Sequence, residues 1–490
     1  MRVTLDWLTL APVLGPALGA LLVLLVDALA PRARTVHLGI ALVALGAGLG
    51  AAGWAVAVGE TVRSLRMEAP EGACLYATGP TAGVLQVAAL GAAAVVVLML
   101  LGDRSGEAAP LAGGPAVSAA LVLAATSGAT GVVAAQDLGS WLVTLELATM
   151  PMIALVALAA RRRAVHGALT LLVTSVLSFA LLALGVALWV VATGSSTFAT
   201  SGVRDAWGSP EHRLVLVTAV LVLLAGLGFK LSLVPFHAWT PVTYAGAATP
   251  VTLALATVSK VAALGALVTV VRALASVVQE PAPTTVVLAL AAVSLVSMLL
   301  GAVVALRQVD PVRLLAWSAV GQAGWVVLPL TAVTAAGADA AAGYLAAYVV
   351  ATTVAFAVVH LLHGPVAAGA PERPRELSHT GGLARTHVVL GGALALALLS
   401  LAGLPPGVLG LVAKVVALQP VLAAGLWPVA VVAVAGAVLG VAVYLRWVAI
   451  LLGAGRSAGP LQRMAGSHVA LGLAGTALVV TSVLPGLLLR

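Results

Sequence analysis

The sequence predicts an all-α polytopic membrane protein of about fourteen transmembrane helices. Three observations predict it. Of 490 residues, 62% are hydrophobic and only 8% are charged, against about 25% charged in ordinary soluble domains. The mean hydropathy is +1.16. Apolar stretches long enough to cross the hydrocarbon core follow one another with short breaks. A soluble core cannot absorb so many uniformly apolar helices.

Spans are expected near 5–29, 36–58, 79–101, 114–134, 138–160, 166–193, 213–234, 248–272, 284–306, 311–333, 340–363, 388–418, 424–452 and 467–488. The first is expected to be a true span rather than a cleaved signal peptide. Only Arg2 precedes it, Pro12, Pro16 and Asp27 interrupt it, and no small-residue cleavage site stands out. The loops are short, the longest breaks being 59–78, 194–212, 273–283 and 364–387, so no separate soluble domain is expected. Abundant alanine and glycine suit close helix packing in lipid. The single cysteine, Cys74, permits neither an internal disulfide nor a cysteine-held metal or iron–sulfur site.

The net charge of +8 reflects the distribution of arginine among the loops, not nucleic-acid binding. With the N-terminus outside, the inner segments hold Arg32, Arg34, Arg104, Arg161, Arg162, Arg163, Arg307, Arg313, Arg373, Arg375, Arg385, Arg446, Arg456 and Arg463. The outer ones hold Arg2, Arg63, Arg66, Arg204, Arg213, Arg272 and Arg490. The excess of positive charge inside predicts a multi-pass membrane protein with both termini outside.

Lysine occurs only at Lys230, Lys260 and Lys414, and all three lie in or beside apolar spans. Arginine keeps its proton under protein conditions, whereas a buried lysine can exist in both protonation states. A lysine at a helix centre costs about 2.5–3.5 kcal/mol on insertion, so its retention there points to function. Of sixteen acidic residues, Glu146 alone falls deep inside a span, and a cationic partner is expected for it. These four residues are the candidates for proton translocation.

Two spans are broken. The seventh runs into GFKLSLVPFHAWTP (228–241), with Lys230 before Pro235, and the twelfth contains SLAGLPPGVLGLVAK (400–414), with Pro405 and Pro406 before Lys414. Proline unravels a helical turn, and such a break is tolerated in a membrane where it lines a cavity or is buried in protein. Broken helices five spans apart predict two inverted five-helix repeats, helices 4–8 and 9–13. The chain then divides into N-terminal helices (1–113), a first repeat (114–278), a second (279–453) and a C-terminal helix (454–490).

His237 follows the first break, and His360 lies toward the end of the eleventh span. Either can relay protons or hydrogen-bond freed backbone. Gln322 in the tenth span can hold a water chain or join helices. No nucleotide loop, dinucleotide fingerprint, haem pair or cysteine cluster appears, so nothing here can carry electrons.

The segments DLGSWLVTLELATMP (137–151), GFKLSLVPFHAWTP with Tyr244 and Gly246 after it, PVTLALATVSKVAALG (250–265), DPVRLLAWSAVGQAGW (310–325), LSHTGGLART (377–386) and SLAGLPPGVLGLVAK occur in this order. In them the chain resembles the subunit N family of bacterial proton-pumping NADH–quinone oxidoreductase (respiratory complex I), within the wider group related to multisubunit sodium/proton antiporters. The resemblance implies the fourteen-helix antiporter-like fold. It gives Glu146 the role of the helix-5 glutamate and Lys230 that of its helix-7 partner. Lys260 takes the place of the central helix-8 lysine, and Lys414 that of the helix-12 lysine near the exit. It implies that this chain binds no cofactor, while NAD, FMN, iron–sulfur clusters and quinone belong to partner subunits. It also implies a neighbouring antiporter-like subunit and small membrane subunits as partners in the bilayer. Ala245 and Val242 stand where relatives often carry an acid, and Gln322 where some carry histidine.

Two other functions compete: a sodium/proton antiporter subunit without a redox partner, and a structural membrane subunit that has lost transport. The lysine in ATVSK argues against the first, because antiporter subunits more often have histidine there. Retention of Glu146 and three lysines argues against the second.

Overall fold

The computed structural model describes residues 3–31, 33–67, 74–102, 111–277, 283–364, 375–453 and 464–489. Arg2, Arg32, Arg104, Arg373, Arg456, Arg463 and Arg490, used above for orientation, lie outside the described residues.

Hydrocarbon offers no partner to an unpaired backbone group, so a chain of this composition satisfies its backbone within helices. The first six are α1 (Trp7–Leu29), α2 (Arg34–Val58), α3 (Pro80–Leu101), α4 (Gly114–Val132), α5 (Leu138–Ala157) and α6 (Arg162–Thr193). Then come α7 (Thr200–Gly208), α8 (Pro210–Leu231), α9 (Trp239–Gly246), α10 (Thr249–Ala256) and α11 (Val258–Ala275). The second half holds α12 (Thr284–Ala305), α13 (Pro311–Val327), α14 (Ala335–His363) and α15 (Leu383–Thr386). It ends with α16 (Val388–Ala402), α17 (Val408–Ala423), α18 (Trp427–Leu452) and α19 (Ala465–Val483). Asp6, Asp137, Asp310 and Thr334 cap α1, α5, α13 and α14 by accepting backbone N–H bonds in the first turn.

Among the described residues, thirteen helical stretches are long and apolar enough to cross a membrane, α10 and α11 counting as one. A fourteenth is reached if the bent pair of residues 377–386 and α16 counts as one span, and the twelfth expected span, 388–418, is divided between α16 and α17. They have 15 and 16 residues, and each is about 23 Å long, short of a core of about 30 Å. Residues 377–386 meet α16 at 119° and so lie across its end. Gly410 permits the join: it packs so tightly on the Ser400 carbonyl that any side chain would clash. The most buried crossings are α10–α11, α13 and α14, whereas α6 and α18 form the rim.

Three features differ from the sequence expectation. The seventh span was expected at 213–234, but α8 stops at Leu231 and Ser232 closes it at φ 66°. Pro235 withdraws a donor and biases the residue before it away from helix, so the helix ends upstream. The eighth span, expected as one helix, is divided at Thr257 (φ −122°, ψ −75°), where no proline or glycine signals a break. The loops also carry structure. Segment 194–212 holds α7, and 59–78 holds β2 (Val62–Met67) and β3 (Cys74–Thr78). With β1 (Val3–Thr4) these make an antiparallel sheet in the order β1-β2-β3.

The sheet is pinned to the bundle by Tyr76, whose hydroxyl accepts a 2.9 Å bond from Gln86 Nε2, while the same nitrogen donates to Thr130 O at 3.0 Å. Burial raises the Tyr76 phenol well above its ordinary pKa, so it stays neutral. At the other end of the chain, Leu488 lines a cavity with Thr81, Arg272 and Asp339 at the end of α3 that follows the sheet. Both ends of the described chain therefore lie on one face.

Candidate functional site

Glu146 projects from the middle of α5, and Lys230 from the last turn of α8. The Lys230 Nζ lies 2.9 Å from Glu146 Oε1 and donates to Thr149 Oγ1 at 2.8 Å. Thr149 follows Glu146 by three residues, so both face the same neighbour. Lys230 is only 6% exposed, while the glutamate side chain retains 15% on the flank of the bundle. Removing one partner would leave a buried charge uncompensated.

Lys260 stands in the first turn of α11, just past the Thr257 break, and is 2% exposed. Its ammonium donates to Leu231 O at 2.7 Å and Ser232 Oγ at 3.1 Å. Leu231 ends α8, and its carbonyl is among those a helix terminus leaves without an internal partner. That terminus also carries the negative end of the helix dipole. Since Lys230 precedes Leu231, Lys260 bonds to the backbone of the residue next to Lys230.

Lys414, in the second turn of α17, donates to Leu401 O at 2.8 Å and Ala402 O at 2.6 Å, the last carbonyls of α16. Its Nζ sits 5.7 Å from the centre of the Trp325 ring. Gly403 takes φ 77° beside it, and a Cβ there would come within 2.8 Å of Nζ. One device thus occurs twice: a break frees the carbonyls at a helix C-terminus, and a buried lysine takes them.

Gln322 joins the second lysine site. Its Nε2 donates to Leu401 O at 3.0 Å and to the Tyr444 hydroxyl at 2.9 Å, and its Oε1 accepts from Tyr344 at 2.7 Å. Ser318 and Tyr444 share a hydrogen bond of 2.6 Å. Ser318, Gln322, Trp325, Lys414 and Tyr444 line a cavity of about 30 Å³, room for a water in a polar setting. His237 is partly buried in the 232–238 break with its ring 5.2 Å from that of Trp317, and no hydrogen bond ties it to the four charged residues. His360 is buried near the end of α14.

Sequence reasoning missed Thr149, Ser232, Tyr344 and Tyr444. A usable signal existed for the tyrosines. Of the chain's five, Tyr244, Tyr344, Tyr348 and Tyr444 all fall in apolar segments, the same bias that marked the lysines.

Residues 135–440 match the family model described as NADH:quinone oxidoreductase/Mrp antiporter, transmembrane region. The chain is 39% identical over 471 residues to NADH-quinone oxidoreductase subunit N of Salinispora tropica, covering 93% of this chain and 87% of that one. It is 35% identical over 460 residues to NADH-quinone oxidoreductase subunit N 2 of Streptomyces griseus, covering 91% and 83%. Among solved structures, a chain of respiratory complex I from Thermus thermophilus with bound aureothin superposes with TM-score 0.77 at 30% identity, covering 98% of both chains. A chain of the Mrp complex from Dietzia superposes with TM-score 0.82 at 21% identity, covering 98% of this chain and 96% of the other.

Proposed function

The chain belongs to the NADH:quinone oxidoreductase/Mrp antiporter family of membrane subunits, among relatives named subunit N, and from that premise we propose that it translocates protons within the membrane arm of an NADH–quinone oxidoreductase. Redox chemistry, with its NAD, FMN, iron–sulfur clusters and quinone, takes place in other subunits. This chain binds none of them and carries protons through Glu146, Lys230, Lys260 and Lys414. Its partners are a neighbouring antiporter-like subunit and small membrane subunits, in the plasma membrane.

The observation that carries the reading is the placement of all three lysines of the chain in its interior, each with a partner suited to an ammonium. Glu146 and Thr149 hold Lys230, and freed helix-end carbonyls hold Lys260 and Lys414. An ammonium that leaves its carboxylate partner can pass one proton to a neutral amine nearby, becoming neutral as the second becomes charged. The recurrence of a lysine on a broken helix end supports two inverted repeats, 114–278 and 279–453, flanked by 1–113 and 454–490.

The likeness to the Mrp chain at 21% identity speaks for the fold alone. Function is tested in vesicles containing the whole complex. NADH-driven proton uptake that persists without sodium is expected. Proton movement that requires a sodium gradient and ignores NADH would overturn the reading in favour of an antiporter. Topology is tested with reporter fusions. Fusions after Arg163 and Arg385 should report the cytoplasm, and one after Asp205 the exterior. An external signal after Arg385 would break the inverted repeat.

A further inference from the structure

Arg272, in the last turn of α11, lines two cavities on the face that holds both ends of the described chain. Its Nη2 donates to Thr81 Oγ1 at 2.6 Å and to the Asp339 carboxylate, and Thr81 donates to the same carboxylate at 2.5 Å. Thr81 and Asp339 thus fix the guanidinium through one of its nitrogens. Its Nε is buried and bonds to nothing among the described residues. Buried donors are seldom left so, because each costs about 1–3 kcal/mol in that state.

The first cavity has about 290 Å³, and Arg63 of β2 lines it together with Arg272. No Asp or Glu is among its lining residues. The side chains of Arg63, Thr61 and Thr200 have no partner among the described residues and are free to donate into it. Two helices also begin in its wall, α3 at Pro80 and α7 at Thr200. The N–H groups of a first turn lack internal acceptors and carry the positive end of the helix dipole. Two guanidinium groups and two helix starts around a cavity free of carboxylates suit an anion with several oxygens. Phosphate fits best, because its oxygens match the fork of arginine and the N–H groups of a helix start.

The second cavity, of about 320 Å³, shares Pro80, Thr81 and Arg272 with the first. Its wall continues with apolar Val84, Ala342 and Leu488. Asp339 lines this second cavity and not the first, so an anion is directed to the first. A free anion gains nothing from the apolar wall, whereas the hydrocarbon of a lipid does. We infer that the paired cavities bind an anionic phospholipid, its phosphate between Arg63 and Arg272 and its glycerol and upper chain against Val84 and Leu488. With both termini outside, this lipid comes from the outer leaflet. Asp339 and Thr81 are positioning residues that aim Arg272 at the phosphate.

This inference stands apart from the lysine path. It is tested with the whole complex in phosphatidylcholine vesicles that carry a small share of phosphatidylglycerol with a photoreactive group beside its phosphate. Labelled peptides of this chain are then identified by mass spectrometry. Label is expected on the segments around Thr200 and Arg272, and unlabelled phosphatidylglycerol should displace it. Arg63→Gln and Arg272→Gln should each lower it by about tenfold, as the loss of a charge-assisted hydrogen bond does. Arg63→Lys, which keeps the charge and loses the fork, should fall between. Arg272→Gln also breaks the contact with Asp339; if that complex fails to assemble, the exposed Arg63 decides the matter. Equal labelling of the parental and Arg63→Gln complexes would overturn the site. So would displacement by unlabelled phosphatidylcholine as effective as that by phosphatidylglycerol. Displacement by inorganic phosphate at matched concentration would give the site to a free anion and overturn the lipid.

Discussion

Lys414→Arg should abolish most proton pumping although it preserves the positive charge. Lys414 is held by two helix-end carbonyls and opens onto a cavity that can hold water. An ammonium there can release its proton, whereas a guanidinium keeps its own. The arginine variant should therefore behave like Lys414→Met, with initial proton uptake lowered by about tenfold or more. Both complexes should remain assembled. Full pumping by the arginine variant in reconstituted vesicles would rule out a protonation cycle at this position and leave Lys414 a structural cap.

The second large effect is expected at Glu146 and Lys230. At 2.9 Å, two unit charges attract by about 6 kcal/mol at an effective dielectric near 20. Desolvation takes back a large part of it. Moving one charge across 100 mV takes about 2.3 kcal/mol. The closed pair is thus a barrier of the size a membrane potential must contend with. Glu146→Gln and Lys230→Met should each reduce pumping strongly, because each leaves the other charge without its partner. The double variant should be little worse than either single one. If the two losses multiply as for independent sites, the pair is not a functional unit.

Much of this was legible in the sequence because a membrane leaves few options for polar residues. An uninterrupted apolar run must be a helix, and a carboxylate inside one needs a cationic partner, so a partner for Glu146 was expected from the residues, while its identity as Lys230 was implied only by the family resemblance. The proline breaks were legible for the same reason, since Pro235, Pro405 and Pro406 cannot donate to a helix. The break at Thr257 was not, because threonine carries no such signal. The exact end of α8 was missed by three residues, and those residues matter: they expose the Leu231 carbonyl and Ser232 hydroxyl that Lys260 takes. The β2–β3 hairpin was hidden by its place between two spans, where length alone reads as loop. Gln322 was seen but left between two roles. Its bonds to Leu401 O, Tyr344 and Tyr444 make it both a helix tie and a lining residue of the Lys414 cavity.

The decisive measurement is proton uptake by vesicles carrying the whole complex with Lys260→Met, driven by NADH and compared with the parental complex at equal assembly. Lys260 is the most buried of the three lysines and bonds to the carbonyl of Leu231, the residue after Lys230. A proton path through this chain predicts that the number of protons moved per NADH falls in the variant. An unchanged number, at an unchanged rate, would contradict it and show that protons cross elsewhere.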